Sequence, residues 1–397
     1  MERPRNWNSV AQVRFFHHLK RKGHGTSFFA RSFLSFVSLG ITMIPCISII
    51  IPVYNTSPYL SACLDSCLNQ KLDLEVLCVD DGSTDDSLAV LKAYSVRDAR
   101  VKVYQQQHKG AGVARNKALQ KAQGSYIAFM DSDDYYPSAQ ALEILVKAAE
   151  AHNVDIAGGS MCMDRGGVID FDSLHGRALD SFALAGSVLY RDYQYNYDYT
   201  RYIYRRGLLQ GGGIKFPEYA LFEDPPFFVQ AMIAAEKFYA VPDAVYCYRH
   251  SLHDAKHWNE QQACDRLRGL MDCLSISKSK GYATLHYYAA MQLAHEAPIA
   301  YVKHIDSEEV FSLLCLANSS VDVSLIKTTY PDFPEIFLMD ALKEVACGQK
   351  LLWEAQQETA AVYASTTYRL GRGLLYIPLK IKDALQQGRR DGGAKEF

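Results

Sequence analysis

The stretch ISIIIPV, Ile47 to Val53, is a continuous apolar run rich in β-branched residues. Such a run is typical of a strand that is buried on both faces. Similar runs alternate with helical patterns further along the chain, and they predict strands at 74–80, 101–106, 125–131 and 154–161. Repeated βα units of this length predict an α/β fold: a mostly parallel sheet with helices on both faces.

The sequence divides the 397 residues into four parts. Residues 1–45 form a basic N-terminal extension, and residues 46–255 form the α/β domain. Residues 256–360 show only helical periodicity, and residues 361–397 form a basic amphipathic tail. A chain of this length is too long for one compact core, so several structural units are expected.

The N-terminal extension has two interpretations. Residues 1–42 carry seven Lys or Arg against one acid, and the apolar stretch from Phe33 to Ile51 imitates a signal anchor. Inserting that stretch in a bilayer would remove the first strand of the α/β domain. We therefore favour a loosely ordered extension, outside the natural start of the protein.

Composition narrows the function classes. The chain is 49 % hydrophobic and 22 % charged, which is ordinary for a globular protein. Its net charge of −2 provides no overall field that attracts nucleic acid. The ten cysteines lack zinc-like CxxC pairs, so reduced thiols in the cytoplasm are the simplest interpretation.

Polar clusters follow three of the predicted strands: PVYN, VDDGS and DSDD. In parallel sheets, ligands bind at the carboxyl ends of the strands. The topology alone therefore predicts that the three clusters meet at one edge of the sheet.

The cluster DSDD places Asp131 and Asp133 two positions apart, directly after a predicted strand. Oxygen ligands at this spacing suit Mg²⁺ or Mn²⁺ bound together with phosphate oxygens. The alternative is an acidic turn in which Asp134 caps the following helix. The shared edge with VDDGS favours the metal site.

The cluster VDDGS contains Asp80 and Asp81 before Gly82. An acid in a βα loop can bind a ribose hydroxyl or a base N–H. The alternative is a solvated turn in which Gly82 supplies a positive φ and Ser83 or Thr84 caps the next helix.

A glycine-rich helix start, KGAGVARNKAL, lies between these clusters. Its free N–H groups can hold an anion, and Arg115, one turn into the helix, is placed to reach a diphosphate. Taken by itself, this motif is more typical of a capped surface helix with a solvated arginine.

The segment LFEDPPFF surrounds Glu223 and Asp224 with phenylalanines. Apolar surroundings raise the pKa of an acid and can prepare it as a general base. Asp224 before two prolines is also good N-cap chemistry, and the two roles are compatible. By contrast, the spacing of His250, His253 and His257 matches no recognised zinc pattern, and a loop is the safer interpretation.

The ordered set ISIIIPVYN, VDDGSTD, GAGVARNKAL, GSYIAFMDSDD and FEDPPFF resembles the family 2 glycosyltransferases, which have the GT-A fold, over about residues 46–255. The resemblance implies inverting transfer of a sugar from a nucleotide-diphosphate donor, with Mg²⁺ or Mn²⁺ as cofactor. It implies these roles: Pro52, Tyr54 and Asp81 line the nucleoside pocket, Asp131 and Asp133 hold the diphosphate through the metal, and Asp224 is the base. Arg115 would help to stabilise the leaving diphosphate. Lys117 departs from the family pattern, in which glycine often follows ARN.

The tail looks similar to those of bacterial polysaccharide glycosyltransferases, because apolar and basic residues alternate at helical spacing over 365–385. We expect a cytoplasmic enzyme with a saccharide or lipid-linked acceptor, attached peripherally to the inner face of the plasma membrane through 361–397. The alternative for the tail is a terminal helix docked on its own domain. The alternative functions are a haloacid-dehalogenase-type phosphatase and a non-catalytic nucleotide-sugar-binding protein.

Overall fold

The computed structural model describes residues 46–170, 181–249, 258–296, 304 and 306–333. The predicted basic extension, the amphipathic tail and the three histidines of the YRHSLHDAKH segment lie outside these residues, so their predictions remain untested. The division at 255/256 also stays a prediction.

The first half of the sheet follows the sequence pattern closely. Its strands alternate with helices in βα units, and the predicted bounds of the first two strands are confirmed to the residue. The elements are β1 (Ile47–Val53), α1 (Ser57–Leu68), β2 (Leu74–Asp80), α2 (Ser87–Arg97), β3 (Val101–Gln105), α3 (Ala111–Leu119), β4 (Tyr126–Phe129) and α4 (Ala141–Ala151).

Strand β1 lies between β2 and β4, and all four strands of this half are parallel. In the register, Val53 pairs with Asp80 and Ile50 pairs with Phe129. The strands therefore end side by side, which brings the loops that follow β1, β2 and β4 to one edge of the sheet.

Both faces of β1 are buried, as its continuous apolar run predicts. Ile49 and Ile51 pack into a core with α1, α2 and α4, whereas Ile50 faces the opposite core with α3. Helices thus cover both faces of the sheet.

The second half of the sheet is mixed. Its elements are β5 (Ile156–Arg165), β6 (Val168–Asp170), β7 (Gly186–Leu189), α5 (Tyr190–Tyr193), a 3₁₀ turn (Tyr199–Arg201), β8 (Tyr202–Arg205), α6 (Arg206–Gly211), α7 (Asp224–Ala235) and β9 (Lys237–Arg249). The strand order is β3-β2-β1-β4-β8-β5-β9-β7, with β6 paired to β5. Strand β8 is antiparallel to both β4 and β5, so six of the nine described strands run in one direction. The predicted mostly parallel α/β fold is confirmed.

The described part of the C-terminal region is helical, as predicted: α8 (Glu260–Lys280), α9 (Ala283–Glu296), α10 (Glu308–Ser319) and α11 (Val323–Lys327). A reciprocal capping box between Asn259 and Gln262 begins α8. Leu267 and Leu270 of α8 share a core with Val229 of α7, so this helix packs directly on the α/β domain. No described helix is long and apolar enough to cross a membrane.

The side chains suited to cap α1 and α2 make other contacts, so the predicted cap at Ser83 or Thr84 is wrong. Thr56 precedes α1 but its hydroxyl donates to Ser132 Oγ at 2.9 Å instead of capping the helix. Helix α2 begins after Asp86, not after Ser83 or Thr84. These side chains have long-range partners, and a partner distant in sequence outweighs the local capping preference.

Candidate functional site

A cleft of about 680 Å³ lies at the carboxyl ends of β1, β2 and β4. Six of the seven residues that the sequence assigned to the site line it: Pro52, Tyr54, Asp81, Arg115, Asp131 and Asp133. Further lining comes from the loop before α7 and the first two turns of α8, and it includes Glu218, Ala220, Asn259, Gln261, Gln262 and Asp265. The predicted meeting of the three polar clusters is confirmed by this geometry.

Asp81 ties the loop between β3 and α3 to the end of β2. Its Oδ1 accepts hydrogen bonds from Gln106 Nε2 and the Lys109 backbone N–H, both at 2.8 Å. Its Oδ2 accepts from the Gly110 backbone N–H at 2.8 Å and lies 2.9 Å from His108 Nδ1. Asp81 therefore positions the cleft wall itself, and its contact with a nucleoside stays a prediction.

An aromatic pair stands at the cleft mouth. The rings of Tyr54 and His108 stack with centroids 4.1 Å apart, and Tyr54 is 42 % exposed. Sequence reasoning selected Tyr54 but missed His108. His108 could have been selected from the sequence because it lies two residues before Gly110, in the loop that leads into α3. Gly110 has a φ of 92° and is the N-cap residue of that helix.

The predicted positive φ of Gly82 is confirmed at 78°. An added Cβ there would lie 3.1 Å from the His108 backbone nitrogen. A side chain at this position would thus crowd the loop that carries His108, in addition to straining the turn.

The three acids after β4 occupy different environments. The side chain of Asp131 is 33 % exposed, and Asp131 and Asp133 both line the cleft. Asp134 is buried and is not a helix cap, because α4 begins only at Ala141. Burial, followed by the charges of Asp131 and Asp133, holds the pKa of Asp134 well above its usual range.

The cleft fits a divalent cation only if a substrate completes its coordination. No group of three metal-ligating side chains occurs among the described residues. Asp131 and Asp133 offer two carboxylates at one opening, and Mg²⁺ is commonly bound by one or two carboxylates plus substrate phosphates and water. The donor set is therefore compatible with a metal that arrives with a diphosphate.

Arg115 joins the two acidic motifs. Its Nη1 donates to Glu223 Oε1 at 2.6 Å and its Nη2 donates to Asp131 Oδ1 at 2.8 Å. The guanidinium carbon lies 5.2 Å from the ring centroids of both Tyr199 and Phe216. The side chain is only 6 % exposed, so the solvated-surface alternative for Arg115 is wrong. Its contact with a diphosphate stays a prediction.

Asp224 is the one predicted site residue that does not line the cleft. It is the first residue of α7, and Glu223 occupies the N-cap position without making a side-chain cap. Desolvation, followed by the charge of Glu223, raises the pKa of Asp224 to about 7, although Arg115 opposes the shift. Asp224 is connected to the cleft indirectly: its neighbour Glu223 bonds Arg115, and Arg115 bonds Asp131.

The apolar surroundings of Asp224 come from an aromatic cluster. Phe216 and Phe227 stack at 3.9 Å, and Phe129 at the end of β4 packs edge-on against both. Phe222, just before the acidic pair, adopts a φ of 69°, a left-handed conformation that is uncommon for a bulky residue. Such strain is frequent at functional sites.

Taken together, fold and cleft define a class: an α/β protein of GT-A type whose acidic cleft lies at the carboxyl ends of parallel strands. The crystal structure of S. aureus TarS 1-349 in complex with UDP-GlcNAc has this fold, with a TM-score of 0.55 and 21 % sequence identity, covering 86 % of this chain and 92 % of that one. At this identity the likeness supports the fold alone.

Residues 48–215 match the model of the family described as Glycosyl transferase family 2. The uncharacterized glycosyltransferase EpsJ of Bacillus subtilis (strain 168) is 34 % identical over 215 residues, which span 53 % of this chain and 62 % of EpsJ. Chondroitin synthase of Escherichia coli is 44 % identical over 99 residues, 25 % of this chain and 14 % of that enzyme. The chain thus carries a family 2 glycosyltransferase domain at residues 48–215, and the phosphatase alternative is not favoured.

Proposed function

We propose that the chain is a metal-dependent, inverting glycosyltransferase that moves a sugar from a nucleotide-diphosphate donor to a hydroxyl of a saccharide or lipid-linked acceptor. The observation that carries this proposal is the convergence of Tyr54, Asp81, Asp131 and Asp133 on one cleft. The cleft is large enough for a nucleotide sugar, since ligand pockets commonly measure about 300–1,000 Å³.

The chain's own residues would divide the work between donor and acceptor. The exposed face of Tyr54 offers a stacking surface for a base, and Asp131 and Asp133 would hold Mg²⁺ or Mn²⁺. When bound, the metal would neutralise charge that develops on the leaving diphosphate. Arg115 adds positive charge behind Asp131.

Asp224 would be the base that accepts the proton of the acceptor hydroxyl. A base works best when its pKa lies near the operating pH, and the pKa of about 7 meets that condition. Glu223, the neighbour of Asp224, bonds Arg115, and Arg115 also bonds Asp131. Inversion requires the acceptor hydroxyl to attack the anomeric carbon opposite its bond to the leaving diphosphate, so the acceptor would enter on the side of Asp224 while the diphosphate leaves towards Asp131 and Asp133.

A role in cell-surface polysaccharide biosynthesis is supported by the similarity to a chondroitin synthase. Peripheral attachment to the inner face of the plasma membrane through residues 361–397 remains part of the proposal. Liposome flotation of the full chain and of a chain ending at residue 360 tests it, and equal binding would contradict it.

Release of nucleoside diphosphate from a panel of UDP- and GDP-sugars, with Mn²⁺ and with EDTA, tests the transferase function. We expect metal-dependent release that increases with a saccharide acceptor, and a product whose anomeric configuration is opposite to that of the donor. Phosphate release from monoesters alone would support the phosphatase. Donor binding without release would support the non-catalytic binding protein.

A further inference from the structure

The acidic loop after β4 lies beside the last residues of β9. The Tyr135 backbone N–H donates to the Cys247 carbonyl at 3.3 Å, and the Cys247 N–H donates back to the Tyr135 carbonyl at 2.9 Å. More than a hundred residues separate the two segments in sequence. The end of β9 is thus placed to control the conformation of the loop.

Tyr246 of β9 makes two contacts with the loop from inside the protein. Its hydroxyl donates to Asp134 Oδ2 at 2.6 Å and accepts the Asp131 backbone N–H at 3.2 Å. Tyr246 is fully buried, so it is shielded from the cleft. The phenol therefore holds the backbone of Asp131 while it keeps the Asp134 carboxyl group turned inward.

Arg249, at the end of β9, contacts the loop at two further points. Its Nε donates to the Asp133 carbonyl at 2.8 Å, and its backbone N–H donates to Asp134 Oδ1 at 2.7 Å. The guanidinium carbon lies 5.3 Å from the ring centroid of Tyr59 and 5.1 Å from that of Tyr135. The bonds and rings together fix the plane of the guanidinium.

We propose that Tyr246 and Arg249 are positioning residues that fix the backbone from which Asp131 and Asp133 extend and so set the affinity for a divalent cation. The inference rests on the proposed function and extends it. Two carboxylates this close repel each other, so their spacing depends on the surrounding structure. Magnesium-type ions demand near-ideal ligand geometry, and loss of an outer partner of a metal ligand typically costs about 10- to 100-fold in affinity.

This role differs from a direct contact between Arg249 and a phosphate. A phosphate contact requires positive charge, which lysine would preserve. The observed role requires a planar group between two rings and a donor at Nε, which lysine cannot provide. Tyr246→Phe distinguishes the two roles as well. The Tyr246 phenol is fully buried and cannot contact a bound donor, so an effect of this variant on Mn²⁺ affinity would reflect positioning.

The test measures Mn²⁺ binding to the full chain in the presence of UDP, by the electron paramagnetic resonance signal of free Mn²⁺. The variants are Tyr246→Phe and Arg249→Lys. Arg97→Lys is the matched control, because Arg97 also bonds an aspartate and stacks on a tyrosine but lies away from the cleft. We expect about a 10-fold weaker Mn²⁺ affinity in both variants and no change in the control.

Transfer kinetics provide the second readout. At saturating Mn²⁺, the donor KM of both variants should approach that of the unmodified chain, because neither Tyr246 nor Arg249 lines the cleft. Normal Mn²⁺ affinity in Arg249→Lys or in Tyr246→Phe would overturn the inference, and so would a raised donor KM that excess Mn²⁺ does not correct.

Thermal unfolding of each variant shows whether it is folded, and Arg249→Lys carries the test if Tyr246→Phe fails to fold. Failure of the proposed function gives a different result: the unmodified chain would then neither bind Mn²⁺ with UDP nor release nucleoside diphosphate from any donor.

Discussion

The two halves of the sheet contribute to the cleft in opposite ways. In the first half, β1 to β4, every strand is parallel, and the loops that follow β1, β2 and β4 line the cleft with polar groups, namely the exposed Tyr54, the partly exposed Asp131 and the buried Asp81. In the second half, β5 to β9, the strands are mixed. Glu218 and Ala220 of this half line the cleft, whereas Tyr246 and Glu223 are buried. Tyr246 bonds Asp131 and Asp134 of the first half, and Glu223 bonds Arg115.

This difference separates ligand contact from the control of geometry and charge. Parallel strands end together, so their loops are the natural place for groups that meet a ligand. The second half packs behind those loops and sets where the side chains point and how they ionise. The predictions below break or sharpen this division, from the largest expected effect to the smallest.

The largest effect should follow from removing the one second-half residue assigned to the chemistry. Asp224→Asn should lower kcat by about 10²- to 10⁴-fold, which is the usual contribution of a general base. Donor binding should persist because the first half carries it. The measurement is transfer rate together with isothermal titration of UDP. Near-normal turnover would show that Asp224 is not the base, and lost UDP binding would show that the two halves are not separable.

The second largest effect concerns the connection between the halves. Arg115→Met removes the guanidinium that bridges Asp131 and Glu223 and leaves two acids without their partner. Breaking a buried ion pair typically costs about 3 to 5 kcal/mol, and we expect a loss of this size in urea unfolding.

Arg97→Met is the control for that experiment. Arg97 pairs with Asp65 at the surface, where both side chains are about 60 % exposed, and exposed pairs contribute little. The urea midpoint of Arg97→Met should therefore equal that of the unmodified chain. If Arg115→Met also left the free energy of unfolding unchanged, the ion pairs of Arg115 with Asp131 and Glu223 would not contribute to stability.

The sequence predicted the first half well because its information is local. Continuous apolar runs identify β1 and β2, and the topology of parallel strands then places Asp81, Asp131 and Asp133 together without any tertiary detail. Strand β8 was missed because its four residues, YIYR, follow an irregular aromatic segment that lacks a clear period.

The second half of the site was hidden for a different reason. Asp134 looked like a helix cap, and its true partners, Tyr246 and Arg249, lie more than a hundred residues away. Local preference cannot indicate such contacts. The same holds for the start of α8: helical periodicity predicted a helix there but not its place in the cleft wall.

A third prediction tests how tightly the second half is packed. A Cβ added at Gly158 in β5 would lie 2.1 Å from Cδ1 of the buried Tyr202 ring on the neighbouring strand. Gly158→Ala should destabilise the fold by about 1 to 3 kcal/mol, as overpacking usually does. Thermal unfolding is the measurement.

Gly207→Ala is the matched control, because an added Cβ at this position in α6 meets no atom within 4 Å. Alanine in a helix is favoured over glycine by about 0.5 to 1 kcal/mol, so this variant should be as stable as the unmodified chain or slightly more so. Equal effects at both positions would mean that β5 and β8 tolerate a shift, and a rigid second half would be refuted.

The smallest effect is a pH dependence that arises in the second half alone. With a pKa of about 7, Asp224 is increasingly protonated below neutral pH. The proton blocks its action as a base, so kcat should fall towards tenfold per pH unit below about pH 6 and level off above pH 8. UDP binding, followed over the same range, should change less than kcat. A flat kcat profile between pH 5.5 and 8 would contradict the raised pKa of the base.

The same shift has a consequence for stability with a defined sign. Because the folded state holds the proton more tightly than the unfolded chain, in which aspartate has a pKa near 4, the folded state loses stability as pH rises from about 4 through 7.

Asp224→Asn removes that loss, so the inactive variant should be the more stable protein at pH 8, by about 2 to 4 kcal/mol, and the gain should shrink towards pH 4. Urea unfolding at several pH values measures it. A variant that is inactive but no more stable at pH 8 would show that other groups stabilise the ionised Asp224 carboxylate in the folded, unmodified chain. The second half would then pay no electrostatic cost for keeping a base beside the cleft.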